Sequence, residues 1–461
     1  MKATTSDEPK ARGPLGAALA YGGVFVVVLP AVLALWATRL DSLLALPSTG
    51  PWWFGCVPAA AGIVLMTAAA AALWFRGGGL PMSPFPPARL VVTGAYRLVS
   101  HPIYVGAVLL CGGLSMMAGS PAGLWVVTLA LALAATSFVV GYERDATRDR
   151  FGAVPAPWLR LRVPAVLETA WARCCRGAEA VANSWQEWRL GRVRMMSHGI
   201  YAAVGATAGV GLAAWLAGPG TLGWIAVATI AAEVGSALWA QFVEGSPQLL
   251  RPYGYFGAVI AGALTCGVLG LFGLDGWRLV SAMAVGGCVT QVFGRLRCLV
   301  QGCCHGRPID RAWGLRYHHE RSRVVRLSQL GGIRLHPTPV YSMAWTTLTL
   351  GVLVVLWLLA FPLPFIGGAY LTLVGIGRFA EEHYRGEPQT AWVAGLRLYQ
   401  WLAIGFVVAG AGITAVAGAP APVPVLPGAA ALPALALVAV VTYVAFGVDF
   451  PNANRRFSRL V

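Results

Sequence analysis

The chain has 461 residues, 57% of them hydrophobic and 11% charged, with a mean hydropathy of +0.67. Soluble domains carry about 25% charged residues, so this composition excludes a surface that water could solvate. The net charge of +16 comes largely from arginines lying between apolar runs, which points to anionic headgroups and away from nucleic acid.

Apolar runs of ~18–20 residues are each long enough to cross the hydrocarbon as a helix, and they predict an all-α polytopic membrane protein of about twelve spans. Met1 to Pro14 is polar, and the run that follows has the length of a span, so no cleavable signal peptide is expected. The first four spans fall near Leu15–Trp36, Pro58–Phe75, Ile103–Ala118 and Gly123–Tyr142. Glu143 to Met196 is rich in Arg, Trp and Glu and broken by Pro155, Pro157 and Pro164; it reads as interfacial helices, part of them a linker. Four spans follow near Ile200–Ala217, Leu222–Phe242, Phe256–Phe272 and Leu279–Phe293, then a polar segment from Gly294 to Pro339. The last four lie near Val340–Leu359, Phe365–Phe379, Leu398–Val416 and Leu432–Phe446. The expected domains are 1–164, a linker 165–197, and 198–461. No internal repeat suggests an inverted-repeat transporter, and polar residues cluster at span ends instead of running through several spans.

An even span count places the arginine-bearing tails and loops on the cytoplasmic side, together with the Gly294–Pro339 segment. Nine cysteines in a chain this apolar do not make a disulfide scaffold, and a Cys within a span is usually a small packing residue.

Chemistry concentrates first around Thr93-Gly94-Ala95-Tyr96 and His101-Pro102-Ile103-Tyr104. Glu143 ends the following span, and Phe151-Gly152 lies beyond it. Ionisable residues at such span ends are functional candidates. One by one, His101 and Glu143 also read as interfacial anchors and Tyr104 as a headgroup-level aromatic. In this order and spacing they resemble the isoprenylcysteine carboxyl methyltransferase and phospholipid methyltransferase superfamily, over roughly Leu80 to Pro164. The family's usual Arg-His-Pro is Ser100-His101-Pro102 here. The resemblance implies a membrane-face pocket for S-adenosylmethionine lined by Gly94, Tyr96, His101, Pro102, Tyr104 and Glu143. Proline at a helix start frees backbone N–H groups for a carboxylate, and methyl transfer needs mainly in-line positioning.

A second concentration runs from Gly294 to Pro308 and holds Arg295, Arg297, Cys298, Gln301, Cys303, Cys304 and His305. His336-Pro337 and Tyr341 follow at a span start, and Arg378, Glu382 and Arg385 at a span end. The last three share one helical face if the helix continues. Arg295, Arg378 and Arg385 together suit a phosphate, through bidentate hydrogen bonds. These segments resemble the phosphatidylglycerol–prolipoprotein diacylglyceryl transferase family, from about His198 to Val416. Arg295 and Gly306 fall on its Gly-Arg-x-Gly-Asn-Phe-x-Asn-x-Glu-x-x-Gly signature, while the two Asn and the Glu become Cys298, Gln301 and Cys303. The family's earlier His-Gly-Gly has no His counterpart in Arg251–Gly257.

The resemblance implies catalytic roles for Arg295, Arg378 and Glu382, and the relay reading given below adds Cys303. It implies lipid contacts by Arg295, Gln301, His336, Tyr341, Arg378 and Arg385. It further implies a phosphatidylglycerol-like donor, a lipid or lipoprotein acceptor, and residence in the bacterial cytoplasmic membrane. Three readings of the cysteines stand open. One is a nucleophilic relay by a thiolate beside Arg. A second is metal binding with His305, against which the adjacent pair and the spacing argue, so that no metal ligand is assigned. The third is small-residue packing around Gly302 and Gly306. Together the halves predict a fused lipid-modifying transferase; the alternative is a methyltransferase carrying a non-catalytic lipid-binding half.

Overall fold

A computed structural model describes residues 22–79, 87–152, 164–243, 253–386 and 391–449. Outside them lie the start of the first predicted span, most of Pro81–Pro87, Pro155 and Pro157, Arg251-Pro252, and the C-terminal arginines. The chain forms two compact units, Met1–Arg162 and Val163–Val461.

In the first unit the long apolar helices are α1 (Val24–Asp41), α2 (Trp52–Gly77), α3 (Pro102–Met117) and α4 (Gly123–Phe151). Helices α2 and α3 approach backbone to backbone. A Cβ on Gly62 would lie 2.6 Å from Gly106 O, and one on Gly113 would lie 2.4 Å from Ala59 N. Small residues replace the hydrophobic drive that hydrocarbon does not supply between helices. At one end Asp41 accepts from Ala122 N at 2.8 Å and from Ser120 Oγ at 2.5 Å, which fixes the entry to α4.

The second unit opens with the amphipathic α5 (Ala165–Ala182). Glu187–Leu190 then pairs antiparallel with Val193–Met196, and Val448–Asp449 adds a third short strand. A helix forms where the sequence predicts one at Ala165–Ala182, but a hairpin replaces it at Glu187–Met196. Gly191, at φ 57°, turns the chain there in a conformation that glycine adopts at no steric cost.

The membrane helices of this unit are α6 (Gly199–Ala217), α7 (Leu222–Phe242), α8 (Tyr255–Leu271), α9 (Gly276–Gln301), α10 (Thr338–Leu358), α11 (Leu363–Tyr384), α12 (Leu398–Thr414) and α13 (Ala429–Gly447). Among the described residues, nine helices of the chain are long and apolar enough to cross a membrane, and α3, α8 and α12 are shorter apolar helices. Each predicted span therefore has its helix. Many outward side chains, such as Phe242, Leu264, Leu271 and Val440, are exposed, as expected of helices solvated by lipid.

Two helices run on past the predicted span ends. Helix α9 continues beyond Phe293 to Gln301, and α11 beyond Phe379 to Tyr384. Their added turns carry buried arginines and glutamates that pair with one another, so a hydropathy boundary underestimates them. Gly302, at φ 69°, ends α9 in the left-handed conformation, the usual place for glycine after a helix.

Candidate functional sites

In the first unit the short helix Ala95–Leu98 and the start of α3 bring the predicted residues beside the end of α4. Gly94 adopts φ 64° as the cap of the short helix, and Pro102 occupies the first turn of α3 behind His101. The segment Val139–Glu143 is wound as a π turn, a distortion common at functional positions, and it delivers Glu143. His101 Nδ1 lies 3.4 Å from Glu143 Oε1, and the Tyr104 phenol lies close enough to feel the same carboxylate. Burial, and then the Glu143 charge, push the Tyr96 phenol above its ordinary range. Glu143 Oε2 is buried without a hydrogen-bond partner among the described residues. Phe138, missed in the sequence reading, stands edge-on to Tyr104 at 6.3 Å.

In the second unit a cavity of about 940 Å³ opens between the helices, walled chiefly by α7, α8, α9 and α11. Its volume is at the upper end of the ~300–1,000 Å³ usual for ligand sites. Gly276 and Trp277 at the start of α9 line it, and so do Cys298 and Gln301 at the other end. At 1.5 Å per residue a 26-residue helix is about 39 Å long, so the cavity follows the depth of a bilayer. Val210, Ile225, Val259, Val280 and Met283 make its flank apolar, while Arg295, Arg297, Arg323, Arg378 and Arg385 crowd one end.

Arg295, Arg378 and Arg385 are held by two carboxylates that α11 presents a residue apart. Glu381 Oε1 is 3.3 Å from Arg295 Nη2, 3.0 Å from Arg378 Nη1 and 3.5 Å from Arg385 Nη2. Glu382 Oε2 receives Arg378 Nη2 at 3.0 Å, and Arg397 Nη1 lies 3.8 Å from its other oxygen. Glu382 is fully buried behind the arginines and does not line the cavity. Arg295 Nε also donates to Ser342 Oγ on α10 at 2.9 Å, and Arg378 sits over the Tyr399 ring at 5.4 Å.

Arg297 completes the group. It is buried over the Phe446 ring at 5.0 Å, and its Nε and Nη2 have no hydrogen-bond partner among the described residues. Arg295, Arg378, Arg385 and Arg397 thus pair with two carboxylates, and Arg297 and Arg323 lie on the same cavity wall, an excess of buried positive charge.

The cysteines lie at the same end. Arg295 Nη1 donates to Cys304 Sγ at 3.4 Å, and the Cys303 and Cys304 sulfurs are 3.8 Å apart. Hydrogen bonds from Cys298 and Cys303, with the charges of Arg385 and Arg295, hold the Cys304 thiol well below its ordinary range, while Cys303 is pushed up by its sulfur neighbours and burial. Backbone bonds fix the loop: Arg307 N to Tyr384 O at 3.0 Å, Gly386 N to His305 O at 3.1 Å and His336 N to Arg307 O at 2.9 Å. His305 turns away from the sulfurs, with Nε2 at 2.9 Å from Ser328 Oγ and Nδ1 at 2.9 Å from Gly306 O.

Arg295, Gln301, Cys303, Arg378 and Arg385 therefore share the cavity wall. His336 and Tyr341 stand outside it, bonded to each other at 3.0 Å in an aromatic group where Trp171 of α5 stacks on Tyr341 at 5.7 Å. Sequence reading named Arg297 without giving it a role, and overlooked Glu381 as the bridging carboxylate, Arg397, and the Tyr255–Tyr370 hydroxyl pair at 2.9 Å on the cavity wall. For Arg397 a signal was present, an arginine directly before a span; for the tyrosines there was none.

An apolar cavity of bilayer depth, with guanidinium groups at one end, thus lies within a polytopic α-helical membrane protein. The family model described as phospholipid methyltransferase matches residues 51–154, and that described as prolipoprotein diacylglyceryl transferase matches residues 187–416. The chain thus joins segments similar to two transferase families. A phosphatidylglycerol–prolipoprotein diacylglyceryl transferase of Clostridium tetani (strain Massachusetts / E88) is 26% identical over 150 residues, covering 31% of this chain and 57% of the relative. A second enzyme of that description, from Clostridium perfringens (strain 13 / Type A), is 26% identical over 189 residues, covering 37% of this chain and 66% of the relative. The chain spans less than two thirds of the length of either.

Proposed function

We propose that the chain is a bifunctional lipid-modifying transferase of the bacterial cytoplasmic membrane. Its first unit methylates a membrane-embedded acceptor from S-adenosylmethionine, and its second moves a diacylglyceryl group from an anionic phospholipid. The observation that carries the reading is the cavity with its surplus of buried arginine at one end.

In the second unit the acyl chains occupy the apolar length of the cavity, and the phosphate sits among Arg295, Arg297, Arg378 and Arg385. An acceptor nucleophile attacks the glyceryl carbon that bears the phosphate. The carbon–oxygen bond breaks, its electron pair stays on the departing glycerol phosphate, and the acceptor's proton passes to solvent. Guanidinium groups already fixed by Glu381 and Glu382 stabilise that developing charge without reorganising. Glu382 acts here as a positioning residue, since it touches the arginines and not the cavity. Arg297→Leu is expected to weaken binding of phosphatidylglycerol about tenfold to a hundredfold, the ~1.5–3 kcal/mol of a charge-assisted hydrogen bond. It should leave the melting temperature unchanged or raised, because a buried charge is removed. Native mass spectrometry with added lipid and a thermal melt in detergent read both.

In the first unit the unpartnered Glu143 Oε2, ringed by His101, Tyr96 and Tyr104, fits a cationic group that donates hydrogen bonds. S-adenosylmethionine supplies an activated methyl on a sulfonium and carries an ammonium group. Glu143 would hold the positive charge, while His101 and Tyr104 fix the carboxylate. Glu143→Gln is expected to lower methyl transfer about tenfold or more through loss of a charge-assisted bond, with the fold retained.

A specific observation favours a second reading for the C-terminal unit. Cys298, Gln301 and Cys303 stand where the related signature has Asn, Asn and Glu, so this unit would bind lipid without turning it over. One experiment separates the readings. Purified full-length chain is given labelled methyl donor and vesicles of phosphatidylglycerol labelled in both glycerol groups. Release of glycerol phosphate supports transfer; lipid binding without release favours the second reading. Fusion raises the effective concentration of one site's product at the other. Methyl label appearing only when Arg378 is intact supports a common product, and label independent of Arg378 sinks it.

A further inference from the structure

The cysteine group is not absorbed by the phosphate site. A relay through it is chemically unattractive, since a thiolate that takes a diacylglyceryl group holds it as a thioether, whose carbon–sulfur bond does not part readily. Packing accounts for the glycines: a Cβ on Gly302 would meet Ser322 Oγ at 2.5 Å, and one on Gly306 would meet His336 O at 2.3 Å. It does not account for three sulfurs placed together on a cavity wall.

The geometry points to a three-thiolate zinc site formed by Cys298, Cys303 and Cys304. Their sulfurs all lie within 4.8 Å of one another. A tetrahedral ion with Zn–S bonds of ~2.3 Å sets its sulfurs ~3.8 Å apart, and the Cys303 and Cys304 sulfurs are already at 3.8 Å. The linear spacing argues against such a site because neighbouring cysteines chelate poorly. In the fold, Cys298 projects from the last turn of α9, and the left-handed Gly302 turns the chain so that the following pair meets it. Thiolate donors select soft ions such as zinc. Charge agrees: three thiolates around a divalent ion leave one negative charge, and Arg295 already donates to Cys304 at 3.4 Å. His305 is engaged with Ser328 and Gly306, so the protein supplies three ligands. All three cysteines line the cavity, and a fourth ligand reaches the ion from there.

That fourth position is open to the acceptor nucleophile, an assignment that rests on the transfer reading above. On binding there, the nucleophile loses its proton to solvent. It forms a bond to the glyceryl carbon as the carbon–oxygen bond to phosphate breaks, and the leaving glycerol phosphate keeps the electron pair. The ion thus provides the nucleophile activation for which the segment Arg251–Gly257 offers no histidine.

The test is metal analysis of the full-length protein purified in detergent under reductant, with zinc and copper both measured. Zinc retained in stoichiometric amount, and falling about tenfold or more in Cys298→Ser and Cys303→Ala but not in Cys174→Ser, an exposed cysteine, supports the site. Exchange with cobalt(II) keeps the test independent of variant folding, since a thiolate-to-cobalt charge-transfer band in the wild type is expected. No zinc and no such band would overturn the proposal, as would a Cys303–Cys304 disulfide or copper as the bound metal. Zinc without release of glycerol phosphate sinks the transfer reading and leaves the site standing; release undiminished after zinc is stripped overturns the ion's part in activation.

Discussion

Glu382→Ala is expected to destabilise the second unit by about 3–5 kcal/mol, the cost of leaving buried charge without its partner. The carboxylate is fully buried and holds Arg378 at 3.0 Å, with Arg385 and Arg397 within 4 Å. Removing it leaves Glu381 alone to pair with the buried Arg295, Arg378 and Arg385. The matching double variant, Glu382→Ala with Arg378→Met, should recover part of the loss because one charge leaves with its partner. Thermal melts in detergent, read by tryptophan fluorescence and by retention of monodisperse protein, check both. A single variant that melts with the wild type would mean that water or lipid compensates these charges.

Gly286→Val is expected to have a comparable or larger effect, and the adjacent Gly287→Val almost none on stability. A Cβ on Gly286 would lie 2.2 Å from Gly209 O on α6, whereas one on Gly287 meets nothing within 4 Å. Overpacking of this kind usually costs about 1–3 kcal/mol, and here the obstacle is backbone, so α6 and α9 must separate. Both glycines line the cavity, so Gly287→Val should still narrow it and weaken lipid binding in a protein that folds normally. Expression level, melting temperature and phospholipid binding of the pair distinguish packing from occupancy. Equal melting temperatures for the two variants would contradict the close approach of these helices.

The twelve helices and the two clusters of polar residues were legible in the sequence because hydrocarbon imposes a simple rule. A run that must bury its own backbone hydrogen bonds declares itself by length and composition. The same rule misplaced the ends of α9 and α11, where charged residues remain helical because they satisfy one another. Arg295, Arg378 and Arg385 were read together from spacing and resemblance, and the fold brings them to one end of the cavity. Glu381 was passed over because Glu382 matched the family's motif, yet Glu381 is the residue that touches three arginines. His336 and Tyr341 were read with the lipid contacts. The fold pairs them with each other and with Trp171, more than 160 residues earlier, a proximity no local pattern records. The hairpin at Glu187–Met196 was hidden by arginines and tryptophans that read equally well as an interfacial helix.

The excess of arginine at the end of the cavity has a kinetic consequence. A phosphodiester donor carries one negative charge at its phosphate, whereas a departing phosphate monoester carries nearly two at neutral pH. Groups arranged to ease bond breaking therefore grip what is left behind more firmly than what came in. On the transfer reading, escape of glycerol phosphate becomes the slow event of the cycle. Turnover should then show a rapid first round followed by a slower steady state, and free phosphate in the buffer should compete for the vacated arginines.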